Sequence, residues 1–542
     1  MKKRIISTAL ATLMLVPVTA AFSGCSSSSD AEIILKVYNW EEYIDEGGEG
    51  SFLYDELFEG EESDILGDDF LEWYKDTMGV ELSSTLTDEG PSVIDDFELW
   101  YEKTYGKKVK VEYSTFGTNE DMYNEIVLGN EYDLLCPSDY MIMKLAAENR
   151  LEKYDEEFFD EDIEENYYIK NVSPFIQEKF ETNAGLTGKD YFWSEYAAGY
   201  MWGTTGFVYN PEEVSVEELE ALDWQVFIEK GPKYTNKITA KDNVRDTYFA
   251  ALGVAFQDEL LELASKLEKG EITAEDYTLQ LTAIFNNTSE EAVEIVEPIL
   301  MKIKENIYSF ETDTGKADMV NGNINLNYAW SGDAVYAMDL AEEENDMYLN
   351  YFVPMSGSNL WFDGWVLPKG VTERGTKHAA QAFVNFLSMP YNAMRNSYYI
   401  GYTSAIAGAE GEMLDYIDYL YGEEESDFVY DVSTFFGEAP GTITITADEE
   451  QATMRQLYAQ YPPEEVMARC AVMDYYGEEA SVRINELWAR VKAETLDAWA
   501  IIVLCVTAVA IVLAILFVKF GSKIDFFRHK PKKGYHKVDS NS

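Results

Sequence analysis

Segments with strand character alternate with segments of helical spacing through the body of this 542-residue chain, and that alternation narrows the possible folds more than any other feature. "EIILKVYNW" reads as a strand running into a loop. "SVIDDFELWYEKTYG" follows with Val93, Phe97, Trp100 and Tyr101 at helical spacing and Gly106 as its stop. "KKVKVEYSTF" is a strand, "NEDMYNEIVLG" a helix capped by Asn119, "YDLLCPS" a buried strand, and "DYMIMKLAAENRLEKYD" a helix with a return. Strands joined by helices can pair side by side only through crossovers, so this part is an α/β lobe with a mainly parallel sheet. A second region, from about Tyr200 to Pro354, repeats the plan in "KITAKDNVRDTYFAALG" and "NINLNYAWSGDAVYAM". "YLNYFVP" and "LWFDGWVLP" then return toward the first lobe, followed by the amphipathic helix "TKHAAQAFVNFLSMP". Two stretches read as surface insertions: an acidic one at about 46–87, with an internal helix at "DDFLEWYKDTM", and extra helices at about 256–300.

The composition removes several classes of function. With 100 acidic and 41 basic residues the net charge is −59, so nucleic acid is not a partner. Of three histidines, His529 and His536 fall in the tail and only His378 in the body, which excludes a histidine-based triad or a His-rich metal site. No CxxC occurs, and Cys136 and Cys470 read as free buried thiols. No cofactor is implied.

The two ends concern the membrane. Residues 1–24 have a basic start and an apolar middle closing on Phe22-Ser23-Gly24-Cys25, the pattern of a lipoprotein signal peptide in which Cys25 carries the lipid. Residues 25–32 form a tether. The uncharged run at 498–520 is long enough to span a bilayer, and the basic tail at 521–542 places its far side in the cytoplasm. The body is then extracytoplasmic and held at both ends.

Ligands of open α/β sheets sit at the carboxyl ends of strands. The loops at those ends supply Trp40, Glu42 and Tyr43; Ser138 and Tyr140; Asn243 and Asp246; Trp330; Trp361 and Asp363; and Tyr402. At strand periodicity Trp361, Asp363 and Trp365 share one face, two indoles flanking a carboxylate. The set is aromatic and acidic, with no arginine or lysine. Aromatic faces attract ammonium groups, by about 0.5–2 kcal/mol each, and cover methylene chains. A ligand with ammonium ends and an apolar middle, such as a linear polyamine, satisfies every group. A sugar also stacks on aromatics and donates to acids; an amino acid would need a donor cluster for its carboxylate. Asp333 in "SGD" reads as a helix cap.

Taken in order, "VYNWEEYI", "VEYSTFGTNEDMY", "YDLLCPSDY", "WGTTGFVYN", "DNVRDTYFAALG", "AWSGDA", "LWFDGWVLP" and "IGYTS" resemble the spermidine/putrescine-binding proteins of bacterial polyamine ABC transporters. The resemblance implies a type II periplasmic-binding-protein-like fold, with lobe 1 at 33–200, lobe 2 at 201–354 and a return to lobe 1 at 355–497. It implies ligand binding without catalysis, delivery to permease subunits powered by a cytoplasmic ATPase, an aromatic box of Trp40, Tyr43, Tyr140, Trp330, Trp361 and Tyr402, acids Glu42, Asp246 and Asp363, and a polar contact from Ser138. Asn243 stands where relatives have an aspartate, Asp246 where they have a glutamate, and Met473 where some have a glutamine. Other readings of the same residues are a membrane-tethered polyamine sensor, a sugar binder, or a glycosidase using two carboxylates.

Overall fold

The structure is a computed structural model that describes residues 32–48, 51, 53, 68–85, 91–183 and 192–493. The chain divides into two compact units, residues 1–487 and 488–542, and only 488–493 of the second are described. The expected signal peptide, Cys25, the tether up to residue 31, the membrane span at 498–520 and the basic tail lie outside the described residues. Among the described residues no helix is long and apolar enough to cross a membrane.

Eight strands form the main path of one sheet: β1 (Ile33–Trp40), β2 (Val109–Phe116), β3 (Leu134–Leu135), β4 (Ala197–Tyr209), β5 (Ile238–Lys241), β6 (Ser309–Glu311), β7 (Leu326–Trp330) and β8 (Ser358–Pro368). Their order is β2-β1-β3-β8-β4-β7-β5-β6. The outer strands of each lobe pair parallel, β1 with β2 and β3, and β5 with β6 and β7. The sheet is not mainly parallel throughout, because β4 and β8 run antiparallel to each other and to their neighbours at the centre. Every residue of these two long strands is buried. That explains their near-continuous apolar sequence: both faces are covered, so no alternation is required. Residues 197–204 of β4 pair with β8 and residues 205–209 with β7, so the two crossing strands belong to both lobes and join them.

The helices form where the apolar spacing places them, and local chemistry sets their ends. Val93–Tyr105 begins at Ser92, whose side chain accepts from the Asp95 amide, and ends at Gly106 in the left-handed region. In Asn119–Leu128 the cap is Thr118 rather than Asn119. Thr118 has the extended backbone a cap requires, whereas Asn119 is already helical and uses its amide to hold Ser138, through Nδ2 to Oγ at 3.0 Å and Oδ1 to the Ser138 amide at 3.2 Å. Asp68–Met78 is the helix expected inside the acidic insertion. The second insertion begins as a continuation of the 25-residue helix Val244–Glu268, bent at Phe256, and adds Ala274–Phe285 and Glu290–Asn306. Cys136 and Cys470 are free and buried.

Candidate functional site

The carboxyl ends of β1, β3, β5 and β7 point into one cavity of about 420 Å³ between the lobes, within the range of small-molecule sites. All eleven residues expected from the sequence to bind ligand line it, together with Met473. Its aromatic wall is continuous across the cleft. Trp40 of lobe 1 meets Trp330 of lobe 2 at 6.2 Å between ring centroids, Tyr43 meets Tyr402 at 5.0 Å, and Tyr402 meets Trp361 at 5.7 Å.

Trp365 does not share this face. The register between β4 and β8 shifts between Asp363 and Gly364: Asp363 opposes Met201 and Gly364 opposes Gly199, with Tyr200 as the extra residue. Such a bulge re-aims the side chains beyond it. Trp365 packs in the core of lobe 1 against Tyr200 at 4.9 Å and Phe383 at 5.9 Å. The cavity therefore has one indole, Trp361, on this strand, and its Nε1 donates to the Thr204 carbonyl at 3.1 Å.

Asp363 is 5% exposed and accepts a hydrogen bond from the Tyr43 hydroxyl to Oδ2 at 2.8 Å. Among the described residues no lysine, arginine or histidine pairs with it, and Oδ1 has no hydrogen-bond partner. Burial pushes this carboxyl up to about 7; Ser138 and Tyr43 pull it down, and Asp246 pushes it further up. Asp246 itself is raised by burial, against the pull of Asn243 and Lys241. Asn243 caps the helix Val244–Glu268: its Oδ1 accepts from the Asp246 amide at 2.8 Å, and its Nδ2 donates to Asp246 Oδ2 at 2.5 Å. Both of its amide atoms serve to place Asp246.

The site is not free of basic residues: one lysine lines the cavity, and a further lysine and an arginine pack against the aromatic rings of its wall. Lys316, from the helix Thr314–Val320, lies in the cavity wall within 4 Å of Glu42, Asp313 and Asp333. Lys241 is buried behind Trp330, 4.1 Å from its ring centroid, and bonds Asp333 at 3.0 Å. Arg245 lies over the Tyr140 ring at 4.1 Å and the Tyr476 ring at 3.7 Å, and donates to the Asp474 carbonyl at 2.7 Å. Asp333 is not the helix cap: the helix Ser331–Asn345 has Trp330 at its cap position with no side-chain hydrogen bond, and Asp333, in its first turn, faces the two lysines instead. Burial alone would raise its carboxyl, but Lys241 and Lys316 hold it below the usual carboxylate range, and the Tyr402 hydroxyl donates to it at 2.9 Å. Apart from Lys316 and Asp313, which stand three residues apart, these lysines meet acids far away in sequence; "KDNVRD" and "TGKAD" carried the only signal, basic residues beside loops already assigned to strand ends. Glu120 and Asp139 are further cavity acids absent from the sequence-derived set. The wall still holds eight carboxylates against one lysine. Among the described residues no group of three or more His, Cys, Asp or Glu side chains is arranged to hold a metal ion.

The glycine in "AWSGD" has a steric reason. A Cβ on Gly332 would lie 2.0 Å from Tyr402 Cδ2. Gly332→Ala is expected to displace the Tyr402 ring and lower stability by about 1–3 kcal/mol, measured by urea denaturation. A loss below about 0.5 kcal/mol would mean the ring moves freely and is not a fixed part of the wall.

Two α/β lobes sharing two crossing strands around one interlobe cavity define a two-lobed ligand-binding protein. The chain belongs to the family of bacterial extracellular solute-binding proteins, whose family model matches residues 92–414. Membership in that family makes the cavity a place of binding rather than catalysis. The chain is 24% identical over 299 residues to the spermidine/putrescine-binding periplasmic protein of Salmonella typhimurium, covering 54% of this chain and 70% of that one. It is 26% identical over 285 residues to a putrescine-binding periplasmic protein of Pseudomonas aeruginosa, covering 52% and 67%. The fold is similar to that of the TpPotD lipoprotein of Treponema pallidum, with a TM-score of 0.51 at 17% identity, over 84% of this chain and 99% of that one.

Proposed function

We propose that this protein captures a linear polyamine, putrescine or spermidine, outside the cytoplasm and delivers it to the permease of an ABC transporter powered by a cytoplasmic ATPase. The observation that carries this reading is Asp363, a buried carboxylate with no cation to pair with among the described residues, set among Tyr43, Trp361 and Tyr402. An uncompensated buried charge is costly, and an ammonium from the ligand supplies the missing counter-charge while the rings cover its methylene chain. An anionic ligand is disfavoured, because Lys316 is already neutralised by three carboxylates and Arg245 is engaged by two rings and a carbonyl. The proteins similar to this chain that bind putrescine or spermidine support the same reading. Trp40, Glu42, Tyr43, Ser138, Tyr140, Asp246, Trp330, Trp361, Asp363 and Tyr402 contact the ligand in this reading, and Asn243 places Asp246. Its membrane attachment is a lipid on Cys25 together with a span at 498–520, both read from the sequence.

A thermal-shift panel tests the class of ligand. A ligand that binds only the folded protein stabilises it by RT ln(1 + [L]/Kd). Putrescine and spermidine are expected to raise the melting temperature while glucose and glutamate leave it unchanged; the reverse pattern would remove the polyamine reading.

The same carboxylate predicts a pH dependence. The cation binds the ionised form of Asp363, whose free pKa is about 7. Binding below pH 7 must therefore release a proton. Putrescine affinity is expected to be about tenfold higher at pH 8 than at pH 6, and calorimetry at the two values checks it. A flat profile would show that the group gaining the charge is not Asp363. Without ligand the sign differs from that of a paired carboxylate. Between the usual value and about 7 the folded state holds the proton and the unfolded state does not, so this group's contribution to stability falls as pH rises through that window.

A further inference from the structure

The cavity contains an ammonium of its own. Lys316 Nζ lies 3.3 Å from Glu42 Oε2, 3.7 Å from Asp313 Oδ1 and 3.6 Å from Asp333 Oδ1, with the Tyr336 ring centroid at 5.0 Å. All five residues line the cavity, and the lysine side chain is only 12% exposed. Three acids and an aromatic face are the surroundings that a ligand ammonium would need. A lysine side chain is chemically an aminobutyl group, a unit that putrescine and spermidine each contain. Glu42 belongs to lobe 1 and Lys316 to lobe 2, so this pair also spans the cleft. Glu42 makes it from a left-handed backbone, φ 50°, a conformation that costs a non-glycine residue roughly 1 kcal/mol or more. Burial alone would lower the lysine's affinity for its proton, but Asp333, Glu42 and Asp313 overcome that and hold it well above the ordinary value, so it stays charged.

We infer that Lys316 is a specificity-determining residue: its aminobutyl ammonium fills the acidic end of the cavity formed by Glu42, Asp313 and Asp333, and so restricts the ligand to a short diamine seated at Asp363 and Asp246. This rests on the polyamine reading above. A triamine would have to place its third ammonium where Lys316 already sits, and like charges at that distance repel. Removing the lysine's charge leaves three carboxylates of which, among the described residues, only Asp333 keeps a lysine, Lys241, within 4 Å, an end ready to accept the additional ammonium of a longer polyamine.

The experiment is calorimetry of putrescine and spermidine with the wild type, Lys316→Met, Lys316→Gln and Lys316→Arg, all in the full chain. Met keeps the apolar stem and Gln a polar end, so the test stands if either folds with a wild-type circular dichroism spectrum; Arg keeps the charge. The wild type is expected to prefer putrescine. In Lys316→Met or Lys316→Gln the ratio of spermidine to putrescine affinity is expected to rise at least tenfold, and in Lys316→Arg to stay within threefold of wild type. A wild type that binds putrescine, with a ratio unmoved in both neutral variants, overturns this inference and leaves the polyamine reading standing. Equal loss of both ligands in the neutral variants also overturns it, because Lys316 would then serve only to hold the lobes together. A wild type that binds neither amine overturns the polyamine reading and this inference together.

Discussion

Asp363→Ala is expected to weaken putrescine binding at least a hundredfold, or about 3 kcal/mol. The carboxylate is 5% exposed and no cation in the described structure pairs with it, so in the complex the ligand ammonium and this group compensate one another. Truncating one member of a buried charge pair costs about 2–5 kcal/mol, much of it from leaving the other charge stranded. Asp363→Asn separates charge from shape. The amide oxygen can still accept from the Tyr43 hydroxyl, which bonds Asp363 at 2.8 Å, but it brings no negative charge. Its affinity is expected to fall nearly as far as that of the alanine variant. Its ligand-free stability at pH 8 is expected to equal or exceed wild type, because a buried ionised group with no partner has been removed. Titration of putrescine into both variants, with urea denaturation alongside, gives both quantities. Binding within about threefold of wild type, under roughly 0.7 kcal/mol, would show that Asp363 is not the counter-charge.

Arg395→Met is expected to cost about 3–5 kcal/mol of folding stability, and the reason lies in the residues around it. The guanidinium is fully buried. Its Nε bonds Asp45 Oδ2 at 3.0 Å, its Nη1 bonds Asp96 Oδ2 at 2.7 Å, and its Nη2 donates to the Pro91 carbonyl at 3.1 Å. Asp96 also accepts from the Tyr74 hydroxyl at 2.5 Å. Without the arginine, two fully buried carboxylates lose their cation. Burial already raises both carboxyls even with Arg395 present, so in the variant they must take up protons or draw in water. Asp45 and Pro91 lie at the two edges of the acidic insertion, and Asp45 is two residues beyond Tyr43, so this cluster fixes the loop that carries Glu42 and Tyr43 to the cavity. Putrescine affinity is expected to fall along with stability. Adding Asp45→Asn and Asp96→Asn to Arg395→Met is expected to recover part of the loss, since an uncharged cluster no longer holds stranded ions. A single-variant loss below about 1 kcal/mol in urea denaturation would contradict this account of the cluster.

The sequence made the strand and helix alternation legible, and with it the loops at strand ends, because apolar spacing and caps such as Ser92 and Gly106 act over a few residues. It made Asp363 and Trp361 legible for the same reason: a carboxylate in an otherwise apolar strand is conspicuous. Trp365 misled because alternation assumes an unbroken pleat, and the bulge at Tyr200 is a property of two strands rather than one. Asn119 misled because Thr118 and Asn119 are both competent caps, and the choice was made by Ser138, distant in sequence, which claims the asparagine amide. Lys316, Lys241 and Arg245 were missed as site residues because most of their partners are tertiary: Lys316 meets Glu42 across 274 positions of chain, and only Asp313 lies near it in sequence. The cationic part of the wall follows from topology, which no local pattern reports.

The central claim is that one polyamine binds in this cavity, and calorimetric titration of putrescine into the wild-type protein at pH 8 tests it most directly. The account predicts a single site per chain with a micromolar or tighter dissociation constant, about −8 kcal/mol or stronger. No saturable binding of putrescine or spermidine up to millimolar concentration, with saturable binding of a sugar or an amino acid to the same preparation, would contradict it.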